Sequence, residues 1–245
     1  MKKKGILLHW TRLKRSLSKH YHELRLPSGY KRLGTKYGGW WIDTKLLSSD
    51  PLLIDCGLGE DISFPIEFSK LFPFSQIIGI EPNPRSLKYC YNNIPSNMKI
   101  IEKAFWYKNN QDIIFHLPRS QEDLPDGADG VSGSIHQSHE YVIEGENLQV
   151  KTIDLDRILL KIKRTKCDIL KMDIEGAEYE VLKELTQHCN LKKVRQLLIE
   201  FHHHATHHTI NDTEKSIALI KSCGYKLIHI EDRNYKVRPN FRTAT

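Results

Sequence analysis

Three short stretches of this sequence place carboxylates and glycines at spacings that serve chemistry better than packing. The first, Asp55-Cys56-Gly57-Leu58-Gly59-Glu60-Asp61, directly follows the apolar run PLLID. Glycines in such a turn permit positive φ and let the backbone approach a ligand that a Cβ would hold off. The nicotinamide fingerprint G-x-G-x-x-G fails here, because Ile62 stands at the third glycine position. An acid directly ahead of the turn, D-x-G-x-G, instead suits a cofactor bearing an ammonium and a sulfonium. S-adenosylmethionine is such a cofactor. Glu81 closes the next apolar run, 26 residues after Asp55, where a carboxylate can accept both hydroxyls of a ribose. Pro82 and Asn83 then form a ribose-binding turn into a helix, and Ala104, after the third apolar run, joins the same cofactor set. The competing reading is that Asp55 and Glu81 only cap helices. The tetrapeptide EPNP resembles the N-P-P-[YF] box of base N-methylating enzymes, but it follows the second strand and lacks the aromatic that would stack on a flipped base.

The second stretch, DILKMDIEGAEYEVL, sets Asp173 at the carboxyl end of an apolar strand with Glu175 at i+2, and Gly176 gives tight entry to a helix. Ligands in open α/β sheets bind outside those strand ends. The third, LIEFHHH, repeats the i, i+2 spacing with Glu200 and His202. An imidazole of near-neutral pKa is a natural base for an alcohol. Together Asp173, Glu175, Glu200 and His202 form an oxygen-rich set of the kind Mg²⁺ or Mn²⁺ prefers, although no metal is assigned to them. His203, His204, His207 and His208 complete a run that reads as a solvated loop.

The elements that must hold these residues follow from the alternation of short apolar runs with helical patterns. PLLID, QIIGIE, KIIEKAFW, CDILKMD and VRQLLIEF are five core strands, with helices over 63–71, 84–93, after Gly176 and through 216–223. YKLIHIE and YKVRP form a terminal antiparallel pair, and residues 112–117 and 148–153 are extra strands beside a long polar stretch. The expected fold is therefore α/β and Rossmann-like: a mostly parallel seven-stranded sheet with a terminal antiparallel strand and helices on both faces. Residues 118–140 and the segment Tyr37–Trp41 are expected to serve as lids.

The chain has 245 residues with 37 basic and 30 acidic side chains, net +7, and 39% hydrophobic residues, enough for a packed core. The first 36 residues hold eleven Lys/Arg against Glu23, so that segment is +10 and the rest −3. Ile6, Trp10, Leu13, Leu17 and Leu24 recur at helical spacing, which makes residues 1–35 a basic amphipathic arm ahead of a domain at 36–245. Such an arm packs on the domain, lies on an anionic membrane surface through residues 1–30, or, less in keeping with the pattern, follows nucleic acid. Five scattered cysteines without a C-x-x-C pair argue against a disulfide framework or cysteine zinc cluster and fit a reducing, cytoplasmic setting.

On these motifs the sequence resembles the FkbM family of S-adenosylmethionine-dependent methyltransferases. The likeness rests on LKMDIEGAEYEVL, on IDCGLGED followed by IIGIEPNP, and on LLIEFH, and spans about residues 34–230. Its most specific part is Lys171, Asp173, Glu175, Gly176 and Glu178. The first turn departs from the family's G-A-N-x-G by setting the acidic pair Glu60–Asp61 there. The resemblance implies methylation of a hydroxyl on a sugar, lipid or small metabolite, with Asp173, Glu175 and His202 as catalytic candidates. A catalytically silent binding module and an RNA methyltransferase guided by the arm are the alternatives.

Overall fold

The computed structural model describes residues 28–120, 132–188, 190–233 and 236–243. The chain order is β1 (Tyr30–Leu33), β2 (Trp40–Asp43), β3 (Leu52–Cys56), α1 (Ser63–Leu71), β4 (Gln76–Ile80), α2 (Pro84–Tyr91), β5 (Met98–Ile101) and β6 (Ala104–Phe105). It continues with β7 (Asp112–Pro118), β8 (Val142–Ile153), α3 (Leu155–Lys161), β9 (Cys167–Met172), α4 (Glu178–Gln187), β10 (Val194–Ile199), α5 (Ile210–Ser222), β11 (Tyr225–Arg233) and β12 (Lys236–Thr243).

Seven strands form one sheet in the order β11-β12-β10-β9-β3-β4-β5. The five strands β5, β4, β3, β9 and β10 run parallel, and β12 runs antiparallel between β10 and β11. This is the Rossmann-like class I methyltransferase fold. Strand order reverses between β3 and β9, and the carboxyl ends of those two strands open the crevice where such sheets bind ligands.

Both faces are covered because side chains on a strand alternate. Leu52 and Ile54 pack with Ile158, Leu182 and Ile220 of α3, α4 and α5, whereas Leu53 packs with Phe64, Phe68 and Cys90 of α1 and α2. The second face also takes Leu33, Trp40 and Ile42 of the β1–β2 hairpin. The boundary expected at residue 35 therefore falls inside a hairpin whose first strand belongs to the domain. Trp40 is buried, with the Arg238 guanidinium 3.7 Å above its ring, so the aromatic end of the segment Tyr37–Trp41 is packed strand, while exposed Tyr37 lies in the turn that precedes it. The amphipathic pattern at Ile6–Leu24 lies outside the described residues, as do residues 121–131 of the expected 118–140 lid.

Two strand expectations need correction. KIIEKAFW is not one strand: β5 stays in the main sheet, while β6 pairs with β8 in a three-stranded sheet, β6-β8-β7. The polar pair Glu102–Lys103 marks the break. The strand expected at 148–153 begins at Val142, because its first half is exposed polar chain held by pairing with β7 and has no buried face to betray it.

Candidate active site

The glycine turn after β3 is set by two constraints. Gly57 has φ +78°, and a Cβ built on it would come 1.7 Å from the Asp173 carbonyl oxygen, so no other residue fits there. The Asp173 N–H in turn donates to the Cys56 carbonyl at 3.0 Å, which joins the ends of β3 and β9 directly. Gly59 has φ +56°, and a Cβ there would meet nothing within 4 Å. That open space above a positive-φ turn is room for a ligand against bare backbone.

Glu81, buried at the end of β4, holds the turn from the other side. Its carboxylate accepts N–H bonds from Leu58 (2.9 Å), Gly59 (3.1 Å) and Asn83 (2.8 Å). Burial pushes its pKa up while those donors and Lys171 pull it down, the rise prevailing. Asn83 is also buried and caps α2 by accepting the Arg85 N–H; Pro82 lies between the two, partly exposed. Ala104 is buried in β6 opposite Thr152.

Asp55 and Lys171 are register partners on β3 and β9, and their side chains form a buried ion pair at 3.0 Å. The helix-cap reading of Asp55 thus gives way to a cross-strand charge pair. The same ammonium donates to the Gly57 carbonyl at 2.5 Å and stands 3.8 Å from Asp173. Burial opposes the charge on Lys171, but Asp55 and Asp173 hold its pKa above the ordinary value. Burial pushes the Cys56 thiol up, so it stays protonated beside the turn. The acidic pair turns elsewhere: Glu60 bonds Arg85 at 2.8 Å, and Asp61 accepts from Thr35, Gly38 and Ser63, fastening the β1–β2 hairpin to α1.

Beyond the β9 and β10 ends lies a compact acidic cluster around one imidazole. His202 is fully buried. Its Nε2 lies 3.5 Å from Asp173, 3.3 Å from Glu175 and 3.6 Å from Glu200, and its Nδ1 lies 3.1 Å from Glu178. Glu175, at φ +51°, also receives His139 Nε2 at 3.0 Å. Glu200 is anchored by Arg238 at 3.1 Å. Burial alone would lower the His202 pKa, yet Glu175, Glu178 and Glu200 raise it to about 10. Those carboxylates favour the charged ring over the near-neutral imidazole expected from the sequence. Asp173 is raised to about 6 by burial and by Glu200 and Glu175, against Lys171 and His202. Its side chain keeps 26% exposure, which leaves it the accessible carboxylate of the group.

The sequence-predicted residues thus gather in two adjoining sets, the turn with Asp55, Gly57, Gly59 and Glu81, and the cluster with Asp173, Glu175 and His202. Three side chains that organise them were assigned no chemical role from the sequence, although two of them, Lys171 and Glu178, belong to its K-x-D-x-E-G-x-E core. Lys171 could be flagged as a lone cation inside the apolar run CDILKMD, and Glu178 through its place in the K-x-D-x-E-G-x-E core. His139 sits in a polar loop that offers no periodic signal. The histidine run is not a solvated loop throughout, since His208 stacks on Tyr179 at 3.9 Å and, of its five rings, His207 alone is exposed.

A family model described as the methyltransferase FkbM domain matches residues 55–227. The chain belongs to the FkbM methyltransferase family. Family membership brings S-adenosylmethionine as the cofactor, and the bare Gly59 backbone beside buried Glu81 fits its nucleoside. Among curated proteins the FkbM chain is similar to the 2-O-methyltransferase NoeI of Sinorhizobium fredii, 29% identical over 141 residues, 54% of this chain. It spans about half, 56%, of that relative's length. Among solved structures, the fibrillarin pre-rRNA processing protein of Methanococcus jannaschii overlaps 80% of this chain and 67% of its own, with TM-score 0.47 and 11% identity. The Aeropyrum pernix fibrillarin bound to S-adenosyl-L-methionine overlaps 87% and 83%, with TM-score 0.44 and 11% identity. Overlaps of that size carry no argument about chemistry.

Proposed function

We propose that this chain is an S-adenosylmethionine-dependent O-methyltransferase whose acceptor is a hydroxyl of a glycan, lipid or small metabolite. The observation that carries the reading is the direct seam between the two residue sets: the backbone of Asp173 touches both Cys56 and Gly57. Any acceptor placed at the Asp173 carboxylate therefore lies next to the cofactor turn. The similarity to a 2-O-methyltransferase supports oxygen as the acceptor atom.

When bound, the cofactor supplies an electrophilic methyl group on a sulfonium. Asp55, Cys56, Gly57, Gly59, Glu60, Glu81, Pro82, Asn83, Ala104 and Asp173 are the residues assigned to hold it, with Glu81 and the open Gly59 backbone at the ribose. The protein's own work is positioning and proton removal. Asp173 accepts the acceptor hydroxyl's proton, being ionised above about pH 6 and partly exposed. Glu175, fixed by His139 and His202, orients the acceptor. Charged His202 keeps the neighbouring carboxylates together without itself acting as the base. Alignment of donor and acceptor is expected to supply several kcal/mol of the barrier reduction.

The first 36 residues support a second role by charge: a +10 segment is attracted to an anionic membrane surface. Among the described residues no helix is long and apolar enough to cross a membrane.

The test is methyl transfer from labelled S-adenosylmethionine to a panel of glycans, lipids, polyols and RNA, with cofactor affinity measured by calorimetry. Base-stable label on a hydroxyl oxygen is expected. Absence of both cofactor heat and label would establish the silent module instead, and label on RNA alone would move the assignment to nucleic acid.

A further inference from the structure

A second cluster lies outside the methyl-transfer residues. His136 stands in the segment before β8, Glu180 on the first turn of α4, and His208 just ahead of α5. His136 Nε2 is 3.6 Å from Glu180 Oε2, and His208 Nε2 is 3.5 Å from Glu180 Oε1. One ligand-type atom from each of the three falls within 4.8 Å of the others. His136 Nε2, Glu180 Oε2 and His208 Nε2 are all shielded from solvent and lack a hydrogen bond.

Those separations decide between two explanations. A histidine–carboxylate hydrogen bond closes to about 2.7–2.9 Å, and both contacts stop well short of it. Ligand atoms about 2.05 Å from a tetrahedral ion lie about 3.4 Å from one another. The two gaps, one to each oxygen of Glu180, lie near that ligand–ligand separation and beyond hydrogen-bond length.

The rings are also held in place by other contacts. His208 stacks on Tyr179, whose hydroxyl pairs with Thr213 at 2.9 Å. The His136 ring lies against Gly176, where a Cβ would come 3.0 Å from its Cδ2. A larger residue at 176 would push the ring out of line.

We propose that His136, Glu180 and His208 bind a divalent transition-metal ion, with zinc the best match to a His₂-carboxylate donor set that leaves one position open. The ion ties the segment ahead of β8 to α4 and to the loop that enters α5. That segment also carries His139, the partner of Glu175, so metal loading fixes one wall of the acceptor cluster without entering the reaction.

Equilibrium dialysis of the full chain against Zn²⁺, with the metal counted by mass spectrometry, is expected to show one ion per chain at neutral pH. His136→Gln and His208→Gln should each weaken binding by at least roughly tenfold, a loss seen even for outer partners of metal ligands. Asp173→Asn should leave the affinity unchanged. Should the histidine variants fail to fold, carbethoxylation of the wild-type chain decides: zinc should protect His136 and His208 and leave exposed His188 reactive. No stoichiometric zinc, zinc retained at full affinity in the folded His208→Gln protein, zinc lost with Asp173→Asn, or no protection of the two histidines would each overturn the proposal.

Discussion

His202 Nε2 lies 3.5 Å from Asp173 Oδ1, and the same crowd of charge drives the two groups to useful and different states. Three neighbouring glutamates raise the imidazole to about 10 against the effect of burial. Burial and the glutamates raise the carboxyl to about 6. Between those values the pair is an imidazolium beside a carboxylate. A base poised near working pH and a cation that stays charged is how one site separates two roles.

Methyl transfer is therefore expected to follow a bell-shaped pH profile. The rate should fall below about pH 6 as Asp173 protonates, and fall again toward pH 10 as His202 loses its proton. Asp173→Asn should cut kcat by roughly 10²–10⁴, the range for loss of a general base, with the Kd for S-adenosylmethionine little changed. Steady-state rates across pH and a calorimetric titration of the variant check both parts. A variant with full kcat removes Asp173 from the proton-transfer role.

Stability should show the same histidine with a defined sign. The folded pKa of His202 is raised above its ordinary 6.5, so the folded state holds the proton more tightly than the unfolded chain. The stabilisation is complete below about pH 6.5 and is lost as pH rises through about 10. Thermal melts of the wild type should fall over that window more steeply than those of His202→Gln. The variant should be destabilised at pH 7, because it removes the imidazolium that stands between Glu178 and Glu200.

How much of this was readable from the sequence depends on how local the determinant is. The β3 turn, Glu81 at the end of β4 and Asp173 at the end of β9 are marked by apolar runs meeting glycines and acids, so strand and site announce each other. The charge on His202 is not local. It is set by Glu178 on α4, 24 positions earlier, and by Glu175 and Glu200 at two strand ends. The same holds for KIIEKAFW, where one apolar run is shared between two sheets because β8, some 50 residues on, captures its second half. His139 meets Glu175 only because the chain returns over the sheet, and nothing in a polar loop records that.

Glu81 carries a double load that mutation should reveal. Its carboxylate gathers three backbone N–H groups of the cofactor turn and its exit. Hydrogen bonds to a charged group contribute about 1.5–3 kcal/mol. Glu81→Ala is thus expected to weaken S-adenosylmethionine binding by roughly tenfold or more, and Glu81→Gln, which keeps one acceptor oxygen, by less. Isothermal titration of the two variants measures the difference, and an unchanged Kd for Glu81→Ala would sink the ribose assignment.

Lys171 should behave as a structural cation. Lys171→Met would strand Asp55 in the sheet and release the Gly57 carbonyl. Removing one member of a buried pair typically costs about 3–5 kcal/mol. Denaturant unfolding should show a loss of that order, and the double variant Lys171→Met/Asp55→Leu should recover part of it, since no buried charge then lacks a partner. An additive loss would mean that the two side chains do not act as a pair.

Gly57 and Gly59 separate folding from binding within a single turn. A methyl group at 57 would overlap the Asp173 carbonyl at 1.7 Å, and backbone on both strands would have to move. Gly57→Ala should therefore lose stability and activity together. At 59 the added methyl meets no protein atom within 4 Å and only the left-handed backbone resists it, at about 1–2 kcal/mol. Gly59→Ala should fold, melt slightly earlier and bind S-adenosylmethionine more weakly, because the methyl occupies space assigned to the nucleoside. Melting curves and cofactor titrations on both variants test this. If Gly59→Ala bound the cofactor as well as the wild type, the open face above Gly59 would not be the place where it sits.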